Sequence, residues 1–331
     1  MTNFVRRLLL ALLLGVAVYG VFVVYTGYRT LGEALLEYRW LSFLGALGLS
    51  SLNYGFRFLK WEYYLARLGI RGVPKFDSLL VFLSGFVLTV TPGKLGEVFK
   101  SAVLQETHGV PVARTAPIVV AERLTDVVAI VVLVLFGSLG FTGGLPWALA
   151  GGAAVALGLL LILWRTPLEA LISWMQARQG TLARLAPRLR EAGDSLRILA
   201  SPPALLWPTF LSLVGWGGEG VALWWILNGF GVDVPVQLAV FFYATATLAG
   251  ALIPVPGGLG VAEALLQSQF VQLGGVPEGP ATGAMLLIRF ATLWWAVCVG
   301  FAALALLSRR FPSLLRGSTV VAPNAGSEGA S

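Results

Sequence analysis

Charge is scarce in this chain: 12% of its 331 residues are charged, while 57% are hydrophobic. An average soluble domain carries roughly 25% charged residues. With a mean hydropathy of +0.82, the chain lacks the polar surface that a soluble globule shows to water, so it reads as an integral membrane protein. Thiol and imidazole are nearly absent. The single cysteine, Cys298, lies in an apolar run and excludes an intramolecular disulfide. With one histidine, His108, a metal site built from His and Cys is excluded too, and neither a metal nor a cofactor is expected. The phosphate loops of soluble enzymes are missing as well. A Walker loop needs a glycine five positions before Gly93 and a Ser or Thr after Lys94, where Leu95 stands. A dinucleotide fingerprint fails because Glu263 occupies the place of the third glycine after Gly258 and Gly260. The net charge of +7 does not argue for nucleic acid, since the basic residues fall in loops between apolar runs, where positive-inside topology already puts them.

What the chain does have is apolar runs of about 20 residues, the length a helix needs to cross a hydrocarbon core roughly 30 Å thick. The class is therefore helical rather than barrel. Two polar interruptions organise it: Thr91-Pro92-Gly93-Lys94-Leu95-Gly96-Glu97, and Pro254-Val255-Pro256-Gly257-Gly258-Leu259-Gly260-Val261-Ala262-Glu263. Aligned on Pro92 and Pro256, both read Pro-Gly-x-Leu-Gly followed by a Glu. Proline lacks the backbone donor and glycine gives up backbone entropy, so each stretch breaks a helix. Each also lies between two short apolar arms, which predicts a chain that enters the membrane, stops partway and returns. The plainer reading is two Pro-Gly turns linking ordinary helices. Broken backbone at membrane depth persists only where protein or a water-filled cavity satisfies its polar groups, so both breaks are candidate walls of a substrate site.

In order, residues 1–39 hold an anchor helix, Leu8 to Val24, and a connection, Gly27 to Arg39. Residues 40–140 hold a span from Trp40 to Leu59 around Asn53, then a basic cytoplasmic stretch with Lys60, Arg67, Arg71 and Lys75. The first hairpin follows, with arms Phe76 to Val90 and Val98 to Thr107, and then a span from Thr115 to Leu139. Residues 141–202 hold a fourth span, Trp147 to Trp164, and a polar connection whose six arginines against three acids place it in the cytoplasm. The spacing of Leu168, Leu171, Ile172 and Met175 there predicts a helix lying on the surface. Residues 203–310 hold a span from Ala204 to Leu227 around Glu219, the second hairpin with arms Val236 to Ile253 and Val261 to Leu273, and a last span, Ala281 to Leu307, containing Arg289. Residues 311–331 read as a disordered tail. The expected fold is an all-α integral membrane protein with about six transmembrane helices and two re-entrant broken-helix hairpins.

Span, hairpin and charged span occur twice. Asn53 lies 39 residues before Pro92, which lies 31 before Arg123; Glu219 lies 37 before Pro256, which lies 33 before Arg289. Such similar intervals predict an internal repeat. Traced from a cytoplasmic N-terminus, the first hairpin opens inward and the second outward, so the copies are inverted, as in transporters that hold a midplane site between broken helices. Both termini then lie in the cytoplasm.

Lys94, Glu97, Lys100, Glu122, Arg123, Asp126, Glu219, Glu263 and Arg289 all lie in or beside apolar sequence. A charge at the bilayer centre costs roughly 2.5 to 3.5 kcal/mol on insertion scales, so these groups must face one another or water. Glu122 and Asp126 share a helical face, and Arg123 reaches Asp126 three residues on. Taken singly, each reads as a helix-fixing ion pair, and Lys100 fits a shallow position from which it snorkels. Gathered around two breaks, they predict a shared polar cavity in which Lys94, Arg123 and Arg289 hold a phosphate. The acids would cancel that attraction in the empty state or accept a cationic head group.

The Pro-Gly-x-Leu-Gly-Glu stretch, the Glu-Arg-x-x-Asp run at Glu122, Arg123 and Asp126, and the Val-Pro-Gly-Gly-Leu-Gly-x-x-Glu stretch resemble the membrane region of lysylphosphatidylglycerol synthases. That flippase-like domain also occurs alone in many prokaryotic proteins. The resemblance covers Leu41 to Leu307 and implies movement of lipid between leaflets. Position by position it implies a functional set of Pro92, Gly93, Gly96, Glu97, Glu122, Arg123, Asp126, Pro256, Gly257, Gly258, Gly260, Glu263 and Arg289. The soluble aminoacyl-transferase domain of the full synthases has no room here, so lysyl lipid synthesis is not expected. The expected function is transport, without chemistry, of a phosphate-bearing lipid across the cytoplasmic membrane: a glycerophospholipid, an aminoacylated lipid or a polyprenyl-phosphate-linked one. The alternatives are an intramembrane enzyme with Glu97 or Glu122 as general base, and a scaffold for a partner glycosyltransferase or synthase. Membrane lipid is the expected substrate, and a lipid-modifying enzyme the candidate partner.

Overall fold

The structure, a computed structural model, describes residues 2–90, 97–138, 181–253 and 255–315, together with Pro146, Leu149, Gly152, Ala153 and Leu157. Among the described residues every regular element is helical and none is a strand. Helix α1 (Thr2–Thr26) turns through 92° at Gly27 into α2 (Tyr28–Leu36). Gly27 has φ 86, a left-handed value that suits glycine. The connection read from Gly27 to Arg39 is thus mostly a short helix, with Leu31 buried.

Helices α3 (Trp40–Arg67) and α4 (Lys75–Ser84) follow, α4 running into a 3-10 turn at Gly85–Leu88. Then come α5 (Phe99–His108), α6 (Val112–Ser138), α7 (Thr181–Leu199), α8 (Pro202–Gly229) and α9 (Val236–Leu252). A 3-10 turn at Pro256–Gly258 leads to α10 (Val261–Gln272) and α11 (Glu278–Arg289). A π turn at Phe290–Trp294 joins α11 to α12 (Trp295–Arg310). Local chemistry sets several boundaries. Pro74, Pro235 and Pro277 stand directly before α4, α9 and α11, and Pro202 opens α8, where a missing N–H leaves no intrahelical bond unmade. Helix α5 stops at left-handed Gly109, whose N–H caps the Gln105 carbonyl.

Among the described residues, Pro203–Gly229 and Glu278–Arg310 are long and apolar enough to cross a membrane, judged by length and composition. Helices α3 and α6, with 28 and 27 residues, have the length but carry charges, of which the fold buries Lys60, Glu122 and Asp126. One boundary needs correction. The sequence places Lys60 and Arg67 in a cytoplasmic stretch after Leu59, but α3 continues through both and Lys60 is only 1% exposed. An internal carboxylate makes that burial tolerable, as described below. The connection after the fourth span is also more than a solvated linker: α7 packs on α6 and buries Ala186, Ser195 and Leu199. Most of the fourth span, the predicted surface helix around Leu168 to Met175, Pro254 and the tail from Gly317 lie outside the described residues.

The order α3, α4, α5, α6 recurs as α8, α9, α10 and α11 with α12. Gly109-Val110-Pro111 before α6 returns as Gly275-Val276-Pro277 before α11, with both glycines left-handed. The two series do not pack apart. One core joins Ile226, Phe241, Phe242, Phe270 and Ile288 with Ala129, Ile130 and Val134 of α6. The other joins Trp61, Tyr64, Phe82, Phe86 and Leu104 with Ala303 and Leu307 of α12. Each series therefore lends its closing helix to the other's core. Small residues permit the approach: a Cβ on Gly137 would stand 2.6 Å from the Phe241 Cβ, and one on Gly300 2.6 Å from the Val87 nitrogen.

Candidate functional site

Among the described residues, most of the charges stranded in apolar sequence gather into two clusters. In the first, Glu97 accepts Arg123 Nη2 at 2.8 and 2.6 Å on its two oxygens, and Arg57 Nη2 at 3.3 Å. Arg123 Nη1 lies 3.4 Å from Asp126 Oδ2. The other Asp126 oxygen accepts Lys60 Nζ at 2.8 Å and Ser212 Oγ at 2.9 Å. Lys100 donates to Glu122 and stands 4.7 Å over the Trp61 ring. Lys100 thus does not take the shallow position that its sequence allows. Glu122 neutralises it, Trp61 and Phe82 cover it, and it is buried.

The second cluster forms at the break before α10. Three left-handed glycines, Gly257 (φ 61), Gly258 (φ 67) and Gly260 (φ 86), turn the chain there. Arg289 Nε donates to Glu263 Oε1 at 2.6 Å, and Nη2 donates to the Gly257 carbonyl at 2.7 Å. The Gly260 N–H donates to Glu263 Oε2 at 2.7 Å, so one carboxylate caps α10 and holds the arginine. The π turn begins directly after Arg289; such widened turns occur frequently at functional sites.

The clusters match in register. Glu97 and Arg123 are 26 residues apart, as are Glu263 and Arg289. Asn53 and Glu219 are 166 apart and bond directly, Nδ2 to Oε1 at 2.6 Å. The same interval separates Glu97 from Glu263 and Arg123 from Arg289. The second Glu219 oxygen accepts the Tyr243 hydroxyl.

Two adjoining cavities lie between the clusters. The larger, about 230 Å³, is lined by Arg123, Asp126, Val127, Ile130, Ile253 and Val255. The smaller, about 70 Å³, is lined by Tyr54, Arg57, Thr89, Glu219, Tyr243 and Arg289. Trp216, Thr247, Gly250, Ala251, Gly257 and Gly258 line both.

Of the residues singled out from sequence, Arg123, Asp126, Glu219, Gly257, Gly258 and Arg289 line these cavities, and Asn53 holds Glu219. Glu97 and Glu263 fix the two arginines, while Pro256 and Gly260 shape the turn. Lys100 and Glu122 pair with each other and are not among the residues lining the two cavities. Pro92, Gly93, Lys94 and Gly96 lie outside the described residues. Sequence reasoning misses Tyr54, Arg57, Lys60, Thr89, Ser212 and Tyr243. Only Arg57 and Lys60 carry a charge that could have marked them. Among the described residues, no three His, Cys, Asp or Glu side chains converge to hold a metal.

Fold and site together define a multi-pass helical membrane protein with ion pairs built into its interior. The chain belongs to the family of the lysylphosphatidylglycerol synthase TM region, whose sequence profile matches residues 10–300. It is similar to a UPF0104 membrane protein of Methanocaldococcus jannaschii, 21% identical over 220 residues that cover 65% of this chain and 91% of the relative. A second UPF0104 membrane protein of that archaeon is 22% identical over 275 residues, 76% of this chain and 80% of the relative. One from Methanothermobacter thermautotrophicus is 31% identical over 90 residues, 27% of each chain.

Proposed function

We propose that the protein carries a phosphate-bearing lipid head group between the leaflets of the cytoplasmic membrane, through the cavity its two helix series enclose, leaving the lipid chemically unchanged. The observation that carries this reading is a pair of adjoining cavities, each walled by both series: Arg123 and Asp126 with Gly257 and Gly258 in the larger, and Tyr54 and Arg57 with Glu219 and Arg289 in the smaller. Among the described residues, five cations, Arg57, Lys60, Lys100, Arg123 and Arg289, stand with five acids, Glu97, Glu122, Asp126, Glu219 and Glu263. Paired charges are tolerated in a low dielectric, and an entering phosphate can take over arginine bonds that an internal carboxylate held.

Membership in a family named for the membrane region of a lipid synthase supports lipid as the cargo. In this reading the two series are inverted repeats, the broken elements are re-entrant, six helices cross, and both termini face the cytoplasm. The arginines of residues 165–202 support that orientation. Glu97 and Glu122, the candidate bases of an enzymatic reading, accept bonds from arginine and lysine. Both carboxylates serve to pair buried cations, which favours transport over chemistry. An enzyme that makes or consumes the same lipid is the partner that fits.

Vesicles reconstituted with the protein test the proposal. Fluorescent glycerophospholipids or polyprenyl phosphates are expected to change leaflet only when the protein is present, with mass spectrometry finding no new lipid species. Every lipid remaining in its original leaflet would sink translocation, and new species without movement would point to an enzyme.

A further inference from the structure

We infer that the phosphate docks in the smaller cavity, between Arg57 of the first series and Arg289 of the second, with the Tyr54 and Thr89 hydroxyls as further donors. This rests on reading the cavity as a head-group path, and it moves the phosphate away from Arg123. Both terminal nitrogens of Arg123 already reach carboxylates: Nη2 both oxygens of Glu97, and Nη1 Asp126. Among the described residues Arg57 makes a single bond, at 3.3 Å to Glu97, and stands 4.9 Å over the Phe86 ring, so most of its five N–H donors are uncommitted there. Arg289 donates Nε to Glu263 and Nη2 to Gly257 and also reaches the Tyr19 hydroxyl, so it supplies charge at the cavity wall while Arg57 supplies the free donors.

The hydroxyls are the independent observation. Tyr54 and Thr89 are 6% and 8% exposed, line this cavity, and their oxygens have no hydrogen-bond partner among the described residues. A buried polar group left unmatched costs about 1 to 3 kcal/mol. Each such group in a native structure calls for a partner, whether an ordered water, an ion or a ligand, and these two face a cavity that can hold one.

The uncommitted groups set the sign of the ligand. The nearby carboxylates are engaged, Glu97 and Glu263 by the arginines and Glu219 by Asn53 and Tyr243, while Arg57, Tyr54 and Thr89 offer N–H and O–H groups to the cavity. A wall of donors favours an oxyanion over an amine. At about 70 Å³ the cavity has the room of about two waters, each about 30 Å³ in the liquid, so it suits a compact group. The rest of the head group passes into the larger cavity beside it, past Val127, Ile130 and Ile253. The ligand class is a phosphate mono- or diester, whether on a lipid or free.

Calorimetry on the full-length protein in detergent tests this, with dioctanoyl phosphatidic acid, dioctanoylglycerol and inorganic phosphate as probes. Tyr54→Phe with Thr89→Val is expected to weaken phosphatidic acid binding by about tenfold or more, the size of losing hydrogen bonds to a charged group. Dioctanoylglycerol binding is expected to stay unchanged, and Thr89→Ser, which keeps the hydroxyl, is expected to bind phosphatidic acid as the natural protein does. Unchanged phosphatidic acid affinity in the double variant overturns the docking, as does a loss that Thr89→Ser shares. If lipid movement persists alongside that unchanged affinity, the docking falls while translocation stands. Inorganic phosphate binding that needs both hydroxyls, with no phosphatidic acid binding, supports the subsite and removes lipid as its source.

Discussion

Lys60 sits inside α3 with its ammonium shared between Asp126 and Ser212, far from bulk water. Removing one partner of a buried pair strands the other, at a cost of roughly 3 to 5 kcal/mol, whereas removing both is often close to neutral. Lys60→Met is therefore expected to lower the thermal midpoint of the protein in detergent sharply, and adding Asp126→Leu to restore much of it. A Lys60→Met protein that melts with the natural one would show that Ser212 and Arg123 satisfy Asp126 alone. Lys60 is hard to read from sequence because it ends an apolar run, after Arg57 and before Arg67, where positive-inside logic puts lysine in a loop. Arg123, Glu263 and Arg289 are legible for the opposite reason: apolar residues surround them, and a charge there must have a partner. Tyr54, Thr89, Ser212 and Tyr243 are neutral, and membrane helices hold many such residues that line nothing.

At the scale of an element, the turn before α10 separates two effects of a methyl group. Gly260 (φ 86) has nothing within 4 Å of an added Cβ, so Gly260→Ala meets only left-handed strain, about 1 to 2 kcal/mol. Gly258 (φ 67) has the Gly250 Cα 3.0 Å from such a Cβ, so Gly258→Ala must also push α9 away. Gly258→Ala is expected to lower the thermal midpoint further than Gly260→Ala and to slow lipid movement more. Equal effects would show that the turn and α9 are not packed tightly. The arms around this turn lie within a residue of where the sequence puts them, because proline and glycine act on the backbone locally. The helix α2 and the last turns of α3 are not legible that way. Contacts distant in sequence hold them: Gly279 against the Thr30 carbonyl, and Lys60 against Asp126.

Across the whole molecule, the exchange of closing helices means that neither series can move without disturbing the other's core. Helices α6 and α9 cross at Gly137, where an added Cβ would stand 2.6 Å from the Phe241 Cβ. Gly137→Ala is therefore expected to force the two helices apart and lower the thermal midpoint in detergent more than Gly217→Ala, whose added Cβ meets only an ordinary contact at 3.6 Å. Equal midpoints would show that the crossing yields. The contact between Asn53 and Glu219 carries a different consequence. These positions correspond in the two series, yet they touch. In a pair of identical subunits, a residue at such a meeting point confronts its own twin: glutamate would repel glutamate, and asparagine would offer one acceptor oxygen where the carboxylate offers two. In this chain the two positions carry unlike residues, so one donates and the other accepts.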